Sequence, residues 1–195
     1  MNLPSKDKNG NNYLSYSQIS LFLKDREQYR RSYILKEPFI TNNYIEFGSR
    51  IGKALELGVF NDDEAQTLSK VTRLDLFEQK TILSFDDFYM IGFIDTCTND
   101  LTRIIDYKTG GKGKQIQYIH PSYTQLHYYT LSIRQELKIK VKDASVEFIE
   151  RSRDFKAVSE PIKIPIDISE NRLKQVYYDT IKIAKDIEKF YLENI

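Results

Sequence analysis
The spacing of apolar residues changes in the middle of this chain, and that change constrains the fold more than any other feature. Three runs, "RLDLFEQKTIL", "FYMIGFIDTC" and "LTRIIDYKT", carry apolar residues with a period near two. A period of two is that of a β-strand with unlike faces. Turn signals at Ser84–Asp87 and Thr98–Asp100 separate the runs, so they read as an antiparallel meander.

Helical spacing surrounds them. In "LSYSQISLFLKDREQYRRSYI", Ile19, Phe22, Leu23 and Tyr33 make an apolar stripe that predicts a helix over 16–34. Ser15 and Gln18 have capping-box spacing, Leu14 with Ile19 supplies a hydrophobic staple, and Pro38 stops the element. "YIEFGSRIGKALELGVF" places Ile51, Leu55 and Val59 at intervals of four. Gly48 and Gly52 in that helix cost roughly 1 kcal/mol each relative to Ala, which points to close approach of a neighbour or ligand. "DDEAQTLSKV" reads as a short third helix. After the meander, "HPSYTQLHYYTLSIRQEL" is helical from near Pro121 and "KIKVKDASVEFIE" is a strand. "EPIKIPI" is a short edge strand, because of its prolines. The last segment is an amphipathic helix with Leu173, Val176, Tyr177, Ala184, Ile187 and Tyr191 on one side. Residues 1–12 are polar and read as a flexible N-terminus. Residues 13–195 read as one α/β domain, with a mixed central sheet containing the meander and helices flanking it.

Composition narrows the function. A chain of 195 residues with 41% hydrophobic content can bury a core. Its net charge of +1 gives no global attraction to nucleic acid, so such binding must rest on local patches. Cys97 is the single cysteine, which excludes an internal disulfide framework and a four-cysteine metal site within one chain. No apolar run approaches a membrane span, and the opening MNLPSKDKNG lacks a signal peptide's apolar core, so the expected location is the cytoplasm, away from membrane.

The second hairpin carries the chemistry. Pairing around a loop from Thr98 to Leu101 sets Cys97 opposite Thr102 and Asp95 opposite Ile104, with Ile104, Asp106 and Lys108 on one face. Asp95 and Asp106 are then diagonal neighbours, roughly 7 Å apart at the backbone. Two carboxylates held so close call for a cation. Their hard oxygens, with waters and a backbone carbonyl for which Tyr107 is placed, suit Mg2+ or Mn2+. Lys108 would orient a water or neutralise charge on a phosphate oxygen, an arrangement fit for metal-assisted phosphodiester hydrolysis. The plainer alternative is a solvated surface pair, worth at most ~1 kcal/mol. The two isoleucines before Asp106 and the second acid across the hairpin weigh against it.

"GFID", eight residues, "IIDYKTG" and then "QLHYY" resemble the PD-(D/E)xK nuclease superfamily, in its RecB-like branch of phage recombination exonucleases and CRISPR-associated adaptation nucleases. The opening helix and "FGSRIGKALE" resemble that branch as well, so the likeness spans roughly residues 13 to 130. It implies a restriction-endonuclease-like core, with Asp95 and Asp106 as metal-binding acids, Lys108 as the catalytic lysine, and Gln125 and Tyr129 as active-site contacts. It further implies a Mg2+- or Mn2+-dependent DNase in a bacterial or phage-infected cell, leaving 5′-phosphate and 3′-hydroxyl ends. An exonuclease partnering a single-strand annealing or recombination protein fits best, and there is room for a homo-oligomer. The branch's usual histidine ligand would fall at Gly52. Glu56, one turn further, is the candidate replacement, with a plain surface charge as its alternative. Relatives with an iron–sulfur cluster carry several cysteines, so no such cluster is expected. His120 and His127 read as structural or exposed.

Phosphate-track candidates are Lys112 and Lys114 in the glycine loop, Arg26 and Arg30 at i, i+4 on the first helix, and Lys138, Lys140 and Lys142, which a strand would aim at one face. A solvated surface competes for each. The functional alternative is a noncatalytic nucleic-acid-binding or scaffold protein on a decayed nuclease fold, supported mainly by the missing histidine.

Overall fold
The computed structural model describes residues 1–38 and 40–195. It is a mixed α/β fold built on one six-stranded sheet. The first helix of the sequence reading is broken in two. Helix α1, Tyr16–Lys24, is capped by Ser15, whose hydroxyl accepts the Gln18 N–H, and it ends at Asp25. Asp25 has extended backbone angles and caps a second short helix, α2, Arg26–Tyr29, by accepting the Gln28 N–H at 2.9 Å. A π-helical turn, Arg30–Ile34, follows. Asp25 can end one helix and start the next because its short carboxylate competes for backbone donors. Helix α3, Asn43–Leu57, is capped by Asn42 at its start and by Gly58 in the left-handed conformation at its end. Helix α4 is Asp62–Leu68.

Strands β2, Leu76–Ser84, β3, Tyr89–Cys97, and β4, Arg103–Gly110, form the expected meander. β4 then pairs in parallel with β5, Asp143–Arg151, and β6, Ala157–Pro165, lies antiparallel at the edge. Between β4 and β5 come a 3-10 turn, Lys114–Tyr118, and helix α5, Gln125–Leu137. Helix α6, Glu170–Leu192, ends the chain.

The fork in this sheet positions the site. β2 occupies one edge of β3 over its whole length. The other edge is shared: the short strand β1, Tyr13–Ser15, pairs with Tyr89–Ile91, while β4 pairs only with Thr96 and Cys97. Residues 92–95 of β3 face the gap.

Two cores lie on one side of the sheet and one on the other. Ile19 and Phe22 of α1, Tyr128 of α5 and Val176, Ala184 and Ile187 of α6 pack with Leu83 and Met90. Leu126, Tyr129 and Ile133 of α5 pack with Ile104, Val146 and Phe148. Opposite them, Phe47, Ile51 and Leu55 of α3 pack with Leu68 and Ile149. Residues 1–12, expected to be frayed, are tied down: Leu3 is fully buried in the first core, its N–H bonds Asn12 Oδ1, and the Asn2 N–H bonds Glu188 of α6. One apolar side chain and a polar turn that satisfies its own backbone outweigh the segment's polarity.

The expected strand over Lys138–Glu150 starts late. Lys138 takes a left-handed conformation to end α5, and pairing begins only at Asp143. Lys138, Lys140 and Lys142 therefore lie in the loop between α5 and β5 rather than on one strand face, at the end of β4 away from Lys112 and Lys114.

Candidate active site
The hairpin register differs from the expected one and brings the acids closer. Thr96 faces Ile105 and Cys97 faces Ile104, so the next residue pair is Asp95 and Asp106. Asp100 explains the difference. It accepts hydrogen bonds from Thr98 Oγ1 and from the backbone and hydroxyl of Thr102, building a six-residue connection, Thr98–Arg103, between the paired Cys97 and Ile104, in which Leu101 is left-handed. A shift of this kind conserves the face, because residues 104 and 106 point the same way. The ladder stops at this pair. Asp95 Oδ2 instead accepts the Tyr107 N–H at 2.6 Å, so a side chain takes the place of a strand carbonyl.

Asp106 has no solvent exposure. Its Oδ2 accepts from Lys108 Nζ at 2.6 Å and from the Tyr123 hydroxyl at 2.9 Å, while its Oδ1 is buried without a partner. Burial, then the Asp106 charge, pushes Asp95 up to about 8, with Lys108 and the Tyr107 N–H acting the other way. Burial works against the Lys108 charge, but the Asp106 and Asp95 carboxylates outweigh it and hold that pKa above the ordinary lysine value.

Asp95, Tyr107 and Lys108 line a cleft of about 470 Å3 beneath α3, together with Gly52, Lys53 and Glu56. Glu56 thus reaches the cleft, where Lys53 Nζ sits 3.0 Å from its Oε2. Tyr107 contributes its backbone N–H; its phenol turns away to donate to the Thr72 carbonyl at 2.6 Å. At Gly48, an added Cβ would touch Thr109 Oγ1 at 3.4 Å, so the helix does lie close to β4 there. At Gly52 an added Cβ would meet nothing within 4 Å, and the expected close approach is replaced by open cleft.

Gln125 and Tyr129 come together as expected: Gln125 Nε2 donates to the Tyr129 hydroxyl at 2.7 Å. Both line a groove of about 800 Å3 that also reaches Lys108. Lys112 and Lys114 are exposed just beyond β4. Arg26 and Arg30 are not brought to the clefts. The Arg26 guanidinium lies over the rings of Phe22 and Phe190, at 4.8 and 5.9 Å, and Arg30 pairs with Glu27. His120 is exposed and bonds Ser122, while His127 is buried against the Asp167 carbonyl.

Sequence reading missed Glu78 and Tyr123. Phe77 faces Thr96 and Gln79 faces Ile94, so Glu78 stands opposite Asp95 and completes a row of three acids across β2, β3 and β4. Its φ of 51° breaks the regular pleat, and it lines the same cleft as Glu56. Burial, then the charges of Glu56 and Asp106, raises its pKa. An acid directly after the apolar pair Leu76 and Phe77 was the available signal, and a weak one in a strand that also carries Gln79 and Lys80. Tyr123 had none, since its partner is seventeen residues away through a loop.

Asp95 and Asp106 suit a hard divalent cation: an orphaned buried oxygen on Asp106, a carboxyl on Asp95 whose proton is held by burial and then by its neighbour's charge, and an open cleft for water beside them. Among the described residues no three His, Cys, Asp or Glu side chains converge as a ready ligand set, so the remaining ligands would be waters, the main chain, or Glu56 and Glu78 turned inward.

The fold is shared with a solved nuclease-like structure. A crystal structure from Eubacterium rectale named "Putative exonuclease" superposes with a TM-score of 0.64 at 12% identity, over 94% of this chain and 83% of that one. No family model and no curated protein matches the sequence. Among the described residues no helix is long and apolar enough to cross a membrane.

Proposed function
We propose that the chain is a divalent-metal-dependent deoxyribonuclease. The observation that carries this reading is the Asp106 carboxylate, wholly buried, bonded to Lys108 on one oxygen and unpartnered on the other, with Asp95 opposite it. Asp95 and Asp106 would hold Mg2+ or Mn2+, with Glu56 or Glu78 in support. A metal bound there supplies Lewis acidity and eases deprotonation of an attacking water. Lys108 then has two tasks: it holds Asp106 in place and offers its ammonium to the charge growing on a phosphate oxygen. The Gln125–Tyr129 pair presents an amide and a phenol at the rim of the groove, suited to hydrogen bonding a substrate oxygen. The resemblance favours an exonuclease of phage-type recombination or repair, leaving 5′-phosphate and 3′-hydroxyl ends and working beside an annealing protein. The shared fold with the Eubacterium rectale protein supports the nuclease part of this reading.

The test is incubation with end-labelled linear and closed circular DNA in Mg2+, Mn2+ or EDTA, beside Asp106→Ala and Lys108→Ala. Metal-dependent loss of linear DNA alone, absent in both variants, is the expected result. Tight binding with no cleavage in any metal would instead favour the noncatalytic scaffold.

A further inference from the structure
Lys108 stands between two openings of opposite character. The cleft beneath α3 is where the acids gather: Asp95, Glu56 and Glu78 are on its walls, with Lys53 paired to Glu56 and Lys108 at the back. The groove of about 800 Å3 beneath α1 is not: among the described residues no aspartate or glutamate lines it, and its charged groups are Lys24 and Lys108. A second recess of about 350 Å3, also free of acids, adjoins it through Tyr16, Ser20 and Lys24 and ends on Tyr118 and Tyr123. We propose that a single nucleic-acid strand reaches Asp106 and Lys108 along this groove, while the acidic cleft is left for metal and water. The assignment of chemistry rests on the nuclease reading; the assignment of the track rests on the groove itself.

Charge separates the two openings. A phosphate in the cleft would meet Glu56, Glu78 and Asp95 beside Lys53 and Lys108, but along α1 it meets no acid, only the ammonium of Lys24 and the hydroxyls of Ser17 and Ser20 on the way to Lys108. Rings decide between one strand and two. Phe93 is 48% exposed on β3, at the gap in the sheet, and Tyr33 lies on the same groove. Ring faces serve bases that have left a duplex stack. The reactive groups are recessed as well: Asp106 is fully buried and the Lys108 side chain only 24% exposed, beneath a groove walled by α1. A strand can enter such a trough with its bases turned aside, whereas a paired duplex keeps its bases stacked and away from Phe93.

The test uses the full chain, fluorescein-labelled single-stranded oligonucleotide and the blunt duplex of the same sequence. Binding is measured in EDTA by anisotropy, and cleavage is measured separately in Mn2+. Expected are tighter binding of the single strand, about tenfold weaker binding for Phe93→Ala from loss of one stacking platform, and a salt slope reduced by ~0.7 for Lys24→Ala. Lys185→Ala, exposed on α6, serves as the control and keeps wild-type binding. In Mn2+ the first two variants raise KM and leave kcat unchanged. If both bind and cut the single strand as the wild type does, with normal thermal unfolding, the track is wrong while the nuclease reading stands. If the wild type binds the strand through these residues yet cuts nothing in any metal, the nuclease reading fails and the track stands. Preference for blunt duplex would overturn the single-strand assignment.

Discussion

The ring of Tyr129 lies on the bare backbone of Gly92: a Cβ added at that glycine would stand 2.5 Å from the ring's Cε1. The glycine of "GFID" is therefore a packing partner of the helix that carries the Gln125–Tyr129 pair. Gly92→Ala should push the ring outward, costing ~1–3 kcal/mol of stability and most of the cleavage activity. Thermal unfolding and Mn2+-dependent cleavage measure both. Wild-type activity in Gly92→Ala would show that the position of Tyr129 is irrelevant to catalysis.

Metal binding should release a proton. Asp95, held up to about 8 by burial and Asp106, is largely protonated at pH 7 in the metal-free protein, and a cation needs it ionised. Apparent Mn2+ affinity should therefore rise about tenfold per pH unit below 8 and level off above it. Calorimetry at pH 7 in buffers of different ionisation enthalpy should count close to one proton released. Asp95→Asn should abolish that release.

Tyr123 positions Asp106. Its hydroxyl donates to Oδ2 and leaves Oδ1 free, and its ring packs edge-on against Tyr16 and Tyr118. Tyr123→Phe keeps the rings and deletes the bond. Mn2+ affinity should fall about tenfold, as for other partners that orient a ligand, with a stability loss of ~1–2 kcal/mol. Titration of Mn2+ against cleavage rate distinguishes this from a purely structural role, which would leave the half-saturating metal concentration unchanged.

His127 makes the fold acid-sensitive. Burial, then the nearby Arg172 charge, lowers its pKa to about 4, while an unfolded histidine titrates near 6.5. The unfolded chain thus binds more protons between those values. The stabilisation is fully present above pH 6.5 and is lost as pH falls toward 4, by about 3 kcal/mol in all. Urea unfolding of the wild type and His127→Gln across pH 4–7 should give difference curves with that slope; parallel curves would refute the assignment.

Glu78 and the lysine loop show where local reading stopped. The period-two runs, the Ser15 cap and the pairing of acids with Lys108 were legible because each depends on residues a few positions apart, whereas Val59, placed on the stripe of α3, lies exposed beyond the left-handed Gly58 that ends the helix. The hairpin connection is longer than its turn residues imply, since Asp100 side-chain bonds, not turn propensity, set it. Lys138, Lys140 and Lys142 alternate as a strand would, but α5 ends among them and removes the pattern's meaning.

By itself, the sequence determined the order of the main helices and strands apart from β1, the α/β class, and the acids and lysine that share a hairpin. Those follow from periodicity and from the two-residue repeat of a strand. Tertiary structure alone decided that β3 forks, that Glu78 joins Asp95 and Asp106 in one row, that Tyr123 closes on Asp106, and that Lys108 separates an acidic cleft from an acid-free groove. The physical reason is distance along the chain. Desolvation, carboxylate repulsion and the shape of an opening arise from groups that only packing brings together, so no local pattern of residues records them.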